Sequence, residues 1–111
     1  MQINSIETIT ELSQLNGRVY VYLPSDELAE QFMRQAEAEG FTFGDGHKPT
    51  DRDPATVIAV NPNHTINYVG FIGMMAFGSA AVNAGGKSLI RVRYVGNGER
   101  PHFTTFENGS E

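Results

Sequence analysis

The sequence predicts an α+β fold: one small domain over residues 1–106, in which a mainly antiparallel sheet of about five strands is covered by about two helices. Three observations carry this. The alternating run Arg18-Val19-Tyr20-Val21-Tyr22-Leu23 is followed by the helical stripe Leu28, Ala29, Phe32, Met33 and Ala36, then by Phe41-Thr42-Phe43, which together read as a strand–helix–strand unit. Two turn signals, Pro62-Asn63-His64 and Asn97-Gly98, each separate β-rich segments as hairpins do. Finally, 111 residues with 40% hydrophobic and 19% charged side chains match one globular domain able to bury about two thirds of its extended-chain surface.

Each element has a local reason. Ile6, Ile9, Leu12 and Leu15 recur every third residue, and Thr8 with Glu11 forms a capping-box pattern, so a short helix is expected before Asn16-Gly17. In the strand Arg18 to Leu23, alternation puts Val19, Val21 and Leu23 on one face and Tyr20 and Tyr22 on the other. Pro24 closes that strand, Ser25 caps the next helix, and Asp26 and Glu27 suit the positive end of its dipole. Gly40 ends the helix, with Glu30, Arg34, Glu37 and Glu39 on its solvent side. Gly44 to Pro54 has no hydrophobic anchor and reads as a loop. Ala55 to Asn61 and Thr65 to Val69 form a hairpin, Phe71 to Asn83 reads as helix, and Ser88 to Val95 with His102 to Phe106 forms a second hairpin. Residues 107–111 read as a flexible tail. One core is expected from Val19, Val21, Leu23, Leu28, Phe32, Met33, Phe41, Val57, Ile58, Ile66 and Ile90.

Composition excludes whole classes of chemistry. With no cysteine, the chain has no disulfide, thiol nucleophile, thiolate zinc site or iron–sulfur cluster. A formal charge of −5 argues against binding duplex nucleic acid or an anionic membrane. The start Met1-Gln2-Ile3-Asn4 does not read as a secretory signal, and the apolar stretch Tyr68 to Val82 is broken by glycines and shorter than the ~20 residues a bilayer span needs. A cytoplasmic protein is expected. Tyr20, Tyr22, Met74, Met75 and Phe77 exceed what one small core absorbs, so a homo-oligomer is expected as well.

Candidate chemistry falls on a few segments. In the 44–54 loop, Lys48, Thr50 and Arg52 offer two cations and a hydroxyl among glycine amides, a set that suits a phosphate, although no Walker or dinucleotide fingerprint is present. A solvated loop shaped by Gly and Pro is the plain alternative. Asn67 and Tyr68, beside glycines at a strand end, can read and stack a base, or simply cap and pack. Arg91 and Arg93 share one strand face and can clamp a phosphate or decorate an exposed sheet. His47, His64 and His102 lack the spacing of metal ligands, Ser25 is simplest as a helix cap, and the acidic pairs lie on solvent-facing helix. No nucleophile, base and oxyanion donor come together, no cofactor is expected, and a small enzyme ranks third among the readings.

The runs Val19-Tyr20-Val21-Tyr22-Leu23-Pro24-Ser25, Phe41-Thr42-Phe43-Gly44-Asp45-Gly46, Lys48-Pro49-Thr50 and Ile66-Asn67-Tyr68-Val69-Gly70 with Met75-Ala76-Phe77 resemble those of small proteins encoded by phages and mobile elements of gut-type Firmicutes. The resemblance covers most of Arg18 to Phe77. It implies a phage-type accessory role directed against host defence. The leading expectation is a non-catalytic protein that sequesters a nucleotide-derived immune second messenger through Lys48, Thr50, Arg52, Asn67, Tyr68, Arg91 and Arg93. The alternative is an acidic interaction protein that inhibits a host defence protein by charge complementarity.

Overall fold

The computed structural model describes residues 6–78, 83–84, 87–96 and 100–105. Its elements run α1 (Ile9–Ser13), β1 (Arg18–Tyr22), α2 (Asp26–Ala38), β2 (Thr42–Phe43), one 3-10 turn (Pro49–Asp51), β3 (Val57–Asn61), β4 (Thr65–Tyr68), α3 (Phe71–Gly78), β5 (Asn83–Ala84), β6 (Lys87–Val95) and β7 (His102–Thr105). The expected tail at 107–111, the Asn97-Gly98 turn and the stretch between Gly78 and Asn83 lie outside the described residues.

The α+β class stands, and the sheet is mixed. Strands follow the order β2-β4-β3-β1-β6, with two-residue β5 at the start of β6 and β7 paired to its end. Both hairpin-type contacts are antiparallel, β3 with β4 and β6 with β7. The parallel contacts join strands far apart in the chain: Arg18 pairs with Leu89 through Tyr22 with Arg93, and Thr42 with Thr65. The unit β1-α2-β2 therefore straddles the β3–β4 hairpin, which fills the gap between its two parallel strands. Local turn chemistry specifies hairpins, whereas the choice of a distant neighbour depends on packing of the assembled sheet.

Alternation along β1 divides the interior in two. Val19, Val21 and Leu23 join Ile58, Val60, Ile66, Val92, Tyr94 and Phe103 beneath α1 and α2, whose Ile9, Leu12, Leu28, Ala29, Phe32, Met33 and Ala36 complete this core. Phe32 stands edge-on to Tyr94 and Phe103, with centroids 5.4 and 6.3 Å away. On the other face Tyr20, Val57, Ala59 and Phe77 form a smaller cluster under α3. Val57 thus belongs to a second cluster and not to the single core expected. Two successive strand residues cannot face the same way, and here both sides of β3 are covered. Ile90 is half-buried against the main core.

Caps form where the residue types called for them. Thr8 accepts from the Glu11 amide and Ser25 from the Leu28 amide, at 3.0 and 3.2 Å. Gly40 adopts φ +86 just beyond the α2 C-cap, the left-handed conformation that favours glycine. The 44–54 loop does have an apolar anchor, since Pro49 is buried at the start of its 3-10 turn. Among the described residues no helix is long and apolar enough to cross a membrane.

Candidate functional site

The sheet face turned away from α2 gathers three arginines and two tyrosines. By pleat and register, Arg18, Tyr20 and Tyr22 of β1 share that face with Arg91 and Arg93 of β6 and Asn67 of β4. Tyr20 pairs with Arg91, Tyr22 with Arg93, and Ala59 with Asn67. No described strand contains an Asp or Glu. Every described carboxylate side chain sits on α1, on α2 or its C-cap, on the segment entering α1, or in the 44–54 loop. In a chain of net charge −5, this leaves one strand face carrying three arginines and no described acid.

The arginines are held in place by their surroundings. Arg91 Nη1 donates to the Phe77 carbonyl at 2.7 Å, near the end of α3, and its guanidinium lies 5.5 Å from the Phe77 ring centroid. A cation there also suits the negative end of the helix dipole. Arg93 lies 5.2 Å above the Tyr22 ring, a cation–π arrangement. The Tyr22 and Phe77 rings are 6.2 Å apart, so two guanidiniums and two aromatic rings form one half-buried group. Asn67 is exposed, accepts from Asn61 Nδ2 and donates to the Tyr68 carbonyl, both at 2.8 Å. Two strands separate β4 from β6, which places Asn67 about 14 Å from Arg91 at normal strand spacing.

The seven residues singled out from the sequence therefore divide. Asn67, Arg91 and Arg93 share the arginine-bearing strand face, whereas Lys48, Thr50, Arg52 and Tyr68 lie at the opposite corner. There Arg52 sits 4.8 Å over the Phe43 ring, Tyr68 packs 5.3 Å from the same ring, and the Tyr68 hydroxyl donates to the Asp53 carbonyl at 2.6 Å. The Thr50 hydroxyl donates to Glu37, and the Arg52 guanidinium pairs with Asp45. This hydrogen bond from Arg52, followed by that from the His47 amide, holds the Asp45 carboxyl well below the usual carboxylate range. A concavity of about 350 Å³ beside the corner is lined by Arg34, Thr50 and Arg52 but also by Glu30 and Asp53. With Glu37 holding Thr50 and Asp45 holding Arg52, two of the three loop groups expected to bind phosphate are tying down the loop.

Two further expectations change. Glu39 is not a solvent-face acid: it is half-buried, and its carboxylate accepts from the amides of Ile9 and Thr10 at 3.0 and 2.8 Å. Tyr20 and Phe77, two of the residues read as surplus to the core, are buried, while Met74 and Met75 are exposed. The sequence reading missed Tyr22 as the neighbour of Arg93 and Arg18 as a member of the same face. Shared parity along β1 was available as a signal, but the parallel register that sets β1 beside β6 was not. Among the described residues no three His, Asp or Glu side chains gather as metal ligands. Comparison with protein-family models, with curated proteins and with solved structures yields no match.

Proposed function

We propose that this is a non-catalytic binding protein that holds a nucleotide-derived anion, such as a cyclic oligonucleotide or an ADP-ribose derivative, on the strand face that carries Arg18, Arg91 and Arg93. Removal of that messenger from solution is the biological role, in line with the resemblance to phage accessory proteins. The observation that carries the reading is the placement of Arg91, Arg93 and Tyr22 side by side on one strand face, with Arg18 on the same face. Phosphates meet Arg91 and Arg93 through charge-assisted hydrogen bonds, the Tyr22–Arg93 stack offers a surface for a base, and Asn67 marks the far end of a ligand longer than a mononucleotide.

Calorimetric titration of cyclic nucleotides and ADP-ribose derivatives tests it. Arg91→Ala and Arg93→Ala are each expected to weaken binding by about 1.5 to 3 kcal/mol, with Lys48→Ala, on the opposite corner, unchanged. Absence of binding by the wild-type chain, or equal binding by all variants, rejects the assignment. A second reading, inhibition of a basic host protein, is favoured by the confinement of described acids to the helix and loop side. It predicts loss of that partner when Asp26, Glu27 and Glu30, all exposed, are reversed. Glu37 and Glu39 are poor choices for reversal because Thr50 and α1 occupy them.

A further inference from the structure

On the helix side of the sheet, a groove of about 480 Å³ opens between the entry to α1, the flank of α2 and the start of β7. Glu7, Gln31, Arg34, Gln35 and Arg100 surround it, and the buried Tyr94 forms its floor. Its walls are fixed by internal bonds. The Tyr94 hydroxyl donates to Gln35 Oε1 at 2.8 Å, and Gln35 Nε2 donates to the Glu7 carbonyl and to Glu39, at 3.1 and 2.8 Å. The Glu7 carboxylate accepts from Arg100 at 3.3 Å.

Two polar groups that line the groove make no bond to another described residue. Among the described residues, neither the Gln31 amide nor the Arg34 guanidinium makes a hydrogen bond or ion pair. Glu30, one turn before Arg34, is in position for a helical ion pair and does not form it. Gln31 and Arg34 are three residues apart on one helix, hence neighbours on its surface. Gly96 makes room for the first of them: a Cβ at that position would stand 3.2 Å from Gln31 Nε2. The acid among the described lining residues, Glu7, accepts from Arg100.

We infer that this groove is a second binding site, separate from the strand face, which takes a small oxyanion, a carboxylate or a phosphate, on Arg34 and the Gln31 amide, with Arg100 at its rim. A guanidinium beside a neutral amide donor matches the planar acceptor geometry of such groups.

The test is an NMR titration of the isotope-labelled full chain with sodium phosphate and, separately, sodium acetate, at ionic strength held constant with sodium chloride. Saturable shifts at Gln31, Arg34 and Arg100 are expected in one arm, and that arm identifies the oxyanion. Arg34→Gln should weaken it about tenfold or more, the loss of one charge-assisted contact, with the thermal transition unchanged. Gly96→Ala should weaken it by displacing Gln31, whereas Arg91→Ala should leave it unaltered. Absence of saturation in both arms, wild-type affinity in Arg34→Gln, or shifts confined to Arg91 and Arg93 would overturn the assignment.

Discussion

Glu39, the C-cap of α2, and Thr10, in the first turn of α1, are joined by two hydrogen bonds: one carboxylate oxygen accepts from the Thr10 amide at 2.8 Å and from its hydroxyl at 2.7 Å. The other oxygen accepts from the Ile9 amide at 3.0 Å and from Gln35 at 2.8 Å. First-turn amides of a helix have no intrahelical acceptor, and a five-residue helix is too short to persist alone. The carboxylate supplies acceptors and a negative charge at the positive end of α1. Glu39→Gln keeps the shape but removes the charge, and is expected to lower the unfolding free energy in urea by about 1 to 3 kcal/mol.

The same contact sets an acid-side pH dependence. Burial is the largest influence on Glu39 and raises its pKa, but the hydrogen bonds from Gln35, Thr10 and the Ile9 and Thr10 amides together outweigh it, so the carboxyl titrates below its ordinary 4.5. The folded state therefore favours the ionised form. Its contribution is whole above about 4.5 and fades as the pH falls through the lower folded value. The stability gap between wild type and Glu39→Gln should accordingly narrow on acidification. A gap that widened would contradict the sign.

Tyr94 behaves in the opposite sense. Burial, and then the negative charge of Glu39, push its hydroxyl up to about 12 from an ordinary 10.0, against a smaller pull from Arg34. A raised pKa means the folded state retains the proton, so this contribution is full below pH 10.0 and is lost as the pH rises towards about 12. Tyr94→Phe should cost about 0.5 to 1.5 kcal/mol at neutral pH, the worth of its bond to Gln35. It should also flatten the alkaline part of the stability profile relative to wild type.

Phe32 lies fully buried between Tyr94 and Phe103. Truncation to alanine empties the centre of the larger core, and an unfolding loss of about 3 to 5 kcal/mol is expected in denaturant titration. A loss under about 1 kcal/mol would be incompatible with this packing.

Gly17 precedes β1 where the backbone of β6 comes close. A Cβ there would stand 2.7 Å from the Ser88 carbonyl oxygen, whereas at Gly44 it would meet nothing within 4 Å. Gly17→Ala should destabilise by about 1 to 3 kcal/mol through strain between the two strands. Gly44→Ala should stay within about 0.5 kcal/mol.

What could be read before folding was whatever one segment decides for itself. The alternation of Val19 and Val21 against Tyr20 and Tyr22, the stripe on α2 and the caps at Thr8 and Ser25 are local, and each appears as expected. The hairpin of β3 and β4 follows from its turn residues in the same way. Segments brought together from a distance were not legible. Nothing near Arg18 announces Leu89 as its neighbour, and nothing near Glu39 announces the amides of α1. The seven candidate residues were grouped by chemistry alone, without knowledge of which side of the sheet each would face. Parity within a strand gave part of the answer, keeping Arg91 with Arg93, but the side on which the 44–54 loop packs is a tertiary fact.

The parallel contact between β1 and β6 carries a consequence for how the chain is made. Until residues 89–93 have left the ribosome, β1 has β3 on one edge and no permanent neighbour on the other. The nascent chain can shape β1, α2 and the β3–β4 hairpin early, yet it must keep an apolar strand edge covered for the several seconds that later synthesis takes at about 5 to 20 residues per second. Contacts so distant in sequence also slow spontaneous refolding. Yield in a cell-free system should therefore respond to chaperone supply more than the equilibrium stability of the finished protein would indicate.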